Sequence, residues 1–267
     1  MSVVLNERQQ YILEQLDRDK KVLVATLAGE LGVAPETIRR DLDTLEKEKK
    51  LKRVHGGAIK YHQNNQEPHF VKKMKVKTKA KEAIGRKAAE FIEDGDTVMI
   101  DVGTTTIHLA KAISGVKDVT IVTNSLAAAE ELNTRLENQE FDGKIIVLGG
   151  VTNPTQKSIV GALTCNMLKG FRFDKLFLSC GGFTVEDVSD YDFEECLVST
   201  TMIERANQVF LLADATKMAH ESFYQICSLS RVDRIICDEE IPATWKQNGL
   251  DKMLKWLRVE GGEEDEG

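Results

Sequence analysis

The sequence lacks paired cysteines. Its five, Cys165, Cys180, Cys196, Cys227 and Cys237, lie far apart, are odd in number and never fall in a C-x-x-C spacing. That argues against a disulfide framework and a cysteine zinc site, and points to buried thiols in a cytosolic protein. Long apolar runs are also missing. No stretch approaches the ~18 residues that a membrane helix needs, and the first twenty residues are too polar for a secretory signal. Neither G-x-G-x-x-G nor G-x-x-x-x-G-K-[ST] occurs, which argues against dinucleotide or ATP binding. No oligomerisation motif is legible.

What the chain does have is charge, unevenly spread. The net value over 267 residues is −7, which by itself speaks against a nucleic-acid partner. Residues 1–81, however, hold 18 Lys+Arg against 11 Asp+Glu, a surplus of seven cations. The remainder holds 18 against 32, a surplus of fourteen anions. A small nucleic-acid module joined to an acidic domain gives this split. Hydrophobic residues make up 42% of the chain, enough for ordinary packed cores.

The cationic part is organised around Pro35–Leu42. Proline fits the first turn of a helix, where its missing N–H is no loss. Ile38, Leu42 and Leu45 recur at helical spacing and predict one buried face. Glu36, Arg40, Asp43 and Lys47 then point outward, with Thr37 and Thr44 on one shoulder and Arg39 on the other. Threonine and arginine near a helix N-terminus suit the major groove: Arg can bridge guanine O6 and N7, and Thr can touch a base edge or a thymine methyl. Upstream, Asn6 is a candidate cap for a helix carrying Ile12, Leu13 and Leu16. Val22–Val24 can pair as a short strand. Ala25–Leu31 predicts a second helix that Gly32 terminates. Two helices joined by a short Gly-containing turn form a helix-turn-helix pattern. Downstream, Leu51–Lys60 predicts a β-hairpin turning at Gly56-Gly57, a wing whose Lys52, Arg53 and Lys60 can meet phosphates. His55 sits at its tip, either touching the DNA or simply hydrogen-bonded within the turn.

The run Leu31-Gly-Val-Ala-Pro-Glu-Thr-Ile-Arg-Arg-Asp-Leu-Asp-Thr-Leu-Glu46, followed by Arg53-Val-His-Gly-Gly-Ala58, resembles the N-terminal winged helix-turn-helix of the DeoR family of bacterial transcriptional regulators. The resemblance implies DNA contacts by Glu36, Thr37, Arg39, Arg40, Thr44, Lys52, Arg53 and His55. The family usually has Ser at the helix cap, where this chain has Ala34. Losing that hydroxyl costs about 1 kcal/mol of helix-start stability, offset by Pro35 and by Glu36 near the positive helix end.

Residues 61–79 are expected to form a linker, since Asn, Gln and Pro68 punctuate them. The lysines at 72, 73, 75, 77, 79 and 81 are expected to be solvated or to start the next helix, Ala80–Ile92. From Thr97 onward, short apolar runs at 97–102, 119–122, 144–148, 175–178, 208–213 and 234–237 alternate with helical segments at 107–113, 127–136 and 194–206. That predicts an α/β domain over residues 80–258 with a mostly parallel sheet, following the winged helix of residues 1–60. Ligands in such sheets bind at strand carboxyl ends. Four ends carry suitable residues: Asp101–Thr106, Thr123-Asn124-Ser125, Leu148-Gly149-Gly150 and Ser179–Gly182. Helix 251–257 is expected to close the domain, and 259–267 to form an acidic disordered tail.

This half also resembles the DeoR family, through Gly95–Thr106, Val122–Ser125, Leu148–Gly150, Val160-Gly161, the Glu194-Glu195 helix start and Leu211–Lys217. The resemblance implies a domain similar in fold to ribose-5-phosphate isomerase and the CoA transferases, sensing phosphorylated sugars. It carries effector binding onto Asp101, Gly103, Thr104, Thr105, Thr106, Asn124, Ser125, Gly149, Gly150, Gly181, Glu194 and Lys217. Lys217 can equally be a surface lysine, and Asp214 is better read as a helix cap. Sugar-phosphate isomerases of this fold carry acids where this chain has Cys180-Gly181-Gly182. Proton transfer beside a carbonyl needs a positioned base, so the pocket is expected to bind without turnover, with Cys180 a buried thiol. The expected protein is a cytoplasmic repressor of a sugar-metabolism operon. It has no catalytic residues, metal or cofactor. Its partners are operator DNA, a phosphorylated sugar and its own copies in a dimer or tetramer. The other function considered is an isomerase or CoA-transferase-like enzyme with a fused N-terminal module.

Overall fold

The computed structural model describes residues 2–19, 21–48, 50–54, 56–60, 67–247 and 255–261. The chain divides into two units, residues 1–66 and 67–267.

In the first unit, helix α1 (Ser2–Asp19), strand β1 (Lys21–Leu23), α2 (Val24–Leu31), α3 (Pro35–Lys47), β2 (Leu51–Val54) and β3 (Gly57–Lys60) follow one another. The strands form an antiparallel sheet in the order β1-β3-β2. α1 begins at Ser2, so Asn6 lies inside the helix and does not cap it. Gly32 ends α2 in the left-handed region at φ 62°, as its position predicts. Gly57 is required for another reason: a Cβ there would lie 1.9 Å from the Val22 carbonyl oxygen, so only glycine lets β3 approach β1. Ile12, Leu16, Leu27, Ile38, Leu42, Leu45 and Leu51 form the core. Asp41 is buried at the same level, and its carboxylate accepts two hydrogen bonds from Arg8 on α1, one of them at 2.9 Å. The α1–α3 contact is thereby polar as well as apolar.

Ala34 occupies the cap of α3 in extended conformation (φ −63°, ψ 143°) and has no side-chain acceptor to offer. Ala34→Ser supplies one for the first-turn N–H groups, of which that of Thr37 already donates to the Ala34 carbonyl at 2.9 Å. It should stabilise the first unit by about 1 kcal/mol. Calorimetry of the full chain should show the first unit's transition moved up by several degrees, and an unmoved transition would refute the capping argument.

The second unit comprises α4 (Phe70–Met74), α5 (Thr78–Ala89), β4 (Thr97–Ile100), α6 (Thr106–Ala110), β5 (Val119–Thr123), α7 (Leu126–Glu137), β6 (Gly143–Val147), β7 (Val151–Asn153), β8 (Ser158–Val160), α8 (Ala162–Leu168), β9 (Phe173–Leu178), β10 (Gly182–Phe183), β11 (Asp187–Asp190), α9 (Phe193–Ile203), β12 (Ala206–Leu212), β13 (Tyr224–Ser228), β14 (Arg234–Cys237), α10 (Ala243–Gln247) and β15 (Lys255–Arg258). Seven strands form a wholly parallel sheet in the order β15-β14-β12-β9-β4-β5-β6. Val98, Ile100, Phe177, Phe210 and Leu212 face one apolar cluster, and Met99, Leu176, Leu178, Val209 and Leu211 face the other. Both faces are covered, which is why these strands read as continuous apolar runs.

Three expectations are corrected. Trp256 and Leu257 lie on an edge strand paired with β14, not on a closing helix; residues 251–254 of that predicted helix lie outside the described residues. Val259 packs on the core and Gly261 meets Ala80, so the predicted tail starts later; residues 262–267 are outside the described set. Residues 67–79 are not a bare linker. Phe70 is buried with Ile107 and Ala127, and its N–H donates to the Thr155 carbonyl at 3.1 Å. Lys81, one of the lysines expected to be solvated, is 3% exposed, with its ammonium on the Lys73 carbonyl at 2.6 Å.

Candidate functional site

The first unit presents α3. Ile38, Asp41, Leu42 and Leu45 are buried, while Glu36, Arg39, Arg40, Asp43, Thr44 and Lys47 are exposed and Thr37 half-buried. The two arginines differ. Arg39 pairs with Glu36 one turn back at 2.9 Å, whereas Arg40 has no side-chain partner among the described residues. Thr44 turns its hydroxyl inward, onto the Arg40 carbonyl at 3.0 Å. Lys52 lies on β2, and His55 lies outside the described residues. Arg53 behaves differently from the expected phosphate contact. Its guanidinium donates to the Arg39 carbonyl (2.9 Å) and to Asp43 (2.7 Å), and its N–H donates to Glu46 (2.7 Å). Arg53 therefore fastens the wing to α3.

In the second unit the chain runs β4, β5, β6 to one edge, then returns through β7, β8 and α8 to place β9 on the other side of β4. The β4–β9 pair is thus the topological switch point, where loops leave in opposite directions and open a crevice at the carboxyl ends. A cleft lies there. Its walls include Gly103, Thr104 and Thr105 after β4, Ser179–Gly181 after β9, Lys217 after β12, Asp190 at the end of β11 with Tyr191 after it, and Glu195 on α9. Glu67, Phe70, Lys73 and Gln156 complete it. The free space is about 20 Å³, room for one or two water molecules.

The sequence-predicted residues separate into three groups. Gly103, Thr104, Thr105, Gly181 and Lys217 line the cleft. The Thr104 and Thr105 hydroxyls make no hydrogen bond among the described residues, and both residues are at most 6% exposed. Asp101 and Thr106 lie beneath. Asp101 accepts hydrogen bonds from the Val102 N–H (2.8 Å), the Ser199 hydroxyl (3.1 Å) and the Ser179 N–H (3.4 Å). Thr106 donates to the Asp101 and Gly103 carbonyls at 2.7 and 3.1 Å. These two residues shape the loop without lining the cleft. Asn124, Ser125, Gly149, Gly150 and Glu194 do not line it either. Ser125 caps α7 by accepting the Ala128 N–H, and a Cβ on Gly150 would strike Thr164 Oγ1 at 2.1 Å. Their strands, β5 and β6, lie on the far side of β4 from the switch point. Glu194 is exposed, while Glu195, one position on, is 5% exposed and accepts the Ser158 hydroxyl. The i, i+3, i+4 relation of Glu195 to buried Val198 and Ser199 could have identified it. Asp214 caps a short 3-10 turn, Ala215–Lys217, as its position suggests. Lys73, Glu67, Gln156, Asp190 and Tyr191 were not foreseen: the first two lay in an expected linker, and the others in segments without clear periodicity.

The cleft concentrates carboxyl groups. Burial pushes Asp101 up to about 7, Glu67 to about 7 and Glu195 to about 8, and raises Asp190 as well. Carboxylates therefore do stand in the cleft, brought by β11 and α9 instead of by the β9 end, so the missing acid at Cys180–Gly182 is not in itself an argument against turnover. Cys180 is a buried thiol pushed up by burial and by Asp190. A raised folded pKa means that the native state holds protons the unfolded chain has lost, so stability falls as pH rises between about 4 and 8. The second unit should melt at a lower temperature at pH 8 than at pH 5.5; the reverse order would show these carboxyls to be ionised without strain. Among the described residues no cluster has the make-up of a metal site, and no helix is long and apolar enough to cross a membrane.

Comparison with known proteins supplies the remaining observations. Residues 8–64 match the DeoR-like helix-turn-helix domain, and residues 76–239 match the DeoR C-terminal sensor domain. An uncharacterized HTH-type transcriptional regulator of Staphylococcus epidermidis is 42% identical, over 79% of this chain and 83% of that one. The lactose phosphotransferase system repressor of Lactococcus lactis is 32% identical, over 88% and 91%. Among solved structures, ribose 5-phosphate isomerase from Plasmodium falciparum is similar over 54% of each chain, with a TM-score of 0.39 and 11% identity.

Proposed function

Since the chain belongs to the DeoR family of transcriptional regulators, we propose that it represses a sugar-metabolism operon and that a phosphorylated sugar in the cleft controls it. The family, not the contents of the cleft, argues for a regulator over an enzyme. Its relatives include a repressor named for a sugar phosphotransferase system. On the DNA side, α3 enters the major groove. Arg40 and Thr37 are its readers, and Arg39 follows once released from Glu36. One recognition helix reads one half-site, so a dimer or tetramer binds the operator.

On the ligand side, the observation that carries the reading is the switch-point cleft. There Lys217 and two buried threonines, whose hydroxyls have no hydrogen-bond partner among the described residues, line the same cleft. A cation with two hydroxyl donors suits a phosphate, while Glu195 and Asp190 suit sugar hydroxyls. A thermal-shift series over pentose and hexose monophosphates tests it. A ligand at a hundred times its Kd adds about 2.7 kcal/mol. One sugar phosphate should raise the second unit's melting temperature and its unphosphorylated sugar should not. Equal shifts, or none across the series, would reject the reading.

A further inference from the structure

The segment that begins the second unit is also a wall of its cleft. Lys73, on α4, reaches the cleft and its ammonium is taken by Glu67. Both side chains are largely withdrawn from water, at 19% and 12% exposed. The backbone around them is pinned. The Lys73 carbonyl holds Lys81, the Phe70 N–H holds the Thr155 carbonyl, and Gln156 Nε2 donates to the Pro68 carbonyl at 3.3 Å. Gln156 Oε1, by contrast, is buried in the cleft wall with no partner among the described residues. A buried acceptor left unsatisfied is unfavourable, and here it sits where a ligand hydroxyl could satisfy it. A phosphate entering the cleft meets the Lys73 and Glu67 side chains in its wall. With the α4 backbone fixed, the Lys73 and Glu67 side chains are the ones able to exchange.

We propose that Lys73 is a second cationic contact for the effector's phosphate, that Glu67 competes with the effector for it, and that Gln156 Oε1 accepts a hydroxyl of the same ligand. This rests on the sugar-phosphate reading of the cleft and adds to it the residues that set affinity. On binding, the Lys73 ammonium leaves the Glu67 carboxylate for the phosphate. Glu67, whose carboxyl burial has already raised to about 7, takes up a proton or turns to water. Glu67 follows the wing strand β3 by only seven positions in the sequence. The exchange therefore occurs at the first residues of the second unit.

The competition makes a prediction of opposite sign for two partners in one ion pair. Calorimetric titration of the full chain with pentose and hexose monophosphates should show Lys73→Met binding at least tenfold more weakly than wild type. Glu67→Gln should bind three- to tenfold more tightly and release operator DNA at correspondingly lower ligand concentration. Lys73→Arg, which keeps the charge, should stay within a few-fold of wild type. If Lys73→Met fails to fold, the sign of the Glu67→Gln change still decides. A purely structural ion pair would weaken binding in both variants, and that result overturns the proposal. Wild type binding a sugar phosphate while Lys73→Met binds it equally well also overturns it and leaves the cleft reading intact. Wild type binding none removes both.

Discussion

Replacing Arg40 by alanine is expected to weaken operator binding about 5- to 150-fold (about 1–3 kcal/mol) while leaving effector binding untouched. The structure orders the outward residues of α3. Arg39 already has a partner in Glu36, so part of its contribution to DNA is offset by the pair it must break. Arg40 has no such pair. It stands on the exposed face of a helix anchored by Ile38, Leu42 and Leu45 and by the Arg8–Asp41 contact. Arg39→Ala should therefore lose less than Arg40→Ala. Arg53→Ala should act differently again, lowering stability of the first unit because Asp43 and the Arg39 carbonyl lose their donor. Gel-shift titrations at fixed salt give the ranking, and melting curves separate the third variant from the first two. Equal affinity for Arg40→Ala and wild type would remove Arg40 from the interface.

Gly103→Ala is expected to lower effector affinity by about 2 kcal/mol, roughly 30-fold, with operator binding in the absence of effector preserved. The reason is a close approach across the switch point. A Cβ on Gly103 would lie 2.2 Å from the Ser179 hydroxyl oxygen and 2.5 Å from its Cβ. The β4 and β9 loops would have to part, and they are the two walls that define the cleft. Ser179→Gly removes the two closest contacts and leaves only Thr106 Oγ1 at 3.1 Å, so the double variant should recover most of the lost affinity. Such a recovery is a coupling between neighbours that independent sites do not show. No recovery would mean that the remaining contact, Thr106 Oγ1 at 3.1 Å from the new Cβ, decides the loss and not Ser179.

These two variants also show where the sequence was informative. The DNA-binding unit was legible nearly in full because its signals are local: a proline at a helix start, a glycine at a helix end, apolar residues every third or fourth position. Asp41 was missed as a buried group because its partner Arg8 is 33 positions away. In the second unit the strands and their parallel arrangement were legible from continuous apolar runs. The cleft was legible only in the loops that follow strand ends, at Gly103–Thr105, Gly181 and Lys217. Strand order was not encoded in any local pattern, so the ends of β5 and β6 read like those of β4 and β9. Only the order β12-β9-β4-β5 separates them. Glu67 and Lys73 were hidden for a related reason. Polar residues around Pro68 look like linker, and nothing local reveals that Phe70 and Met74, one helical turn apart, pack beside Ile107 and Ala127.

One chain thus carries two devices, a cationic reader of duplex DNA and an anionic sensor of a phosphorylated sugar, and for a regulator the second must act on the first. Fluorescence anisotropy with a labelled duplex, selected by the protein from genomic fragments, measures both at once in the full chain. Titrated with pentose and hexose monophosphates at constant ionic strength, operator affinity should change at least tenfold with one of them and stay constant with its unphosphorylated sugar. An affinity that no sugar phosphate moves, in a chain that binds the duplex tightly, would contradict the account.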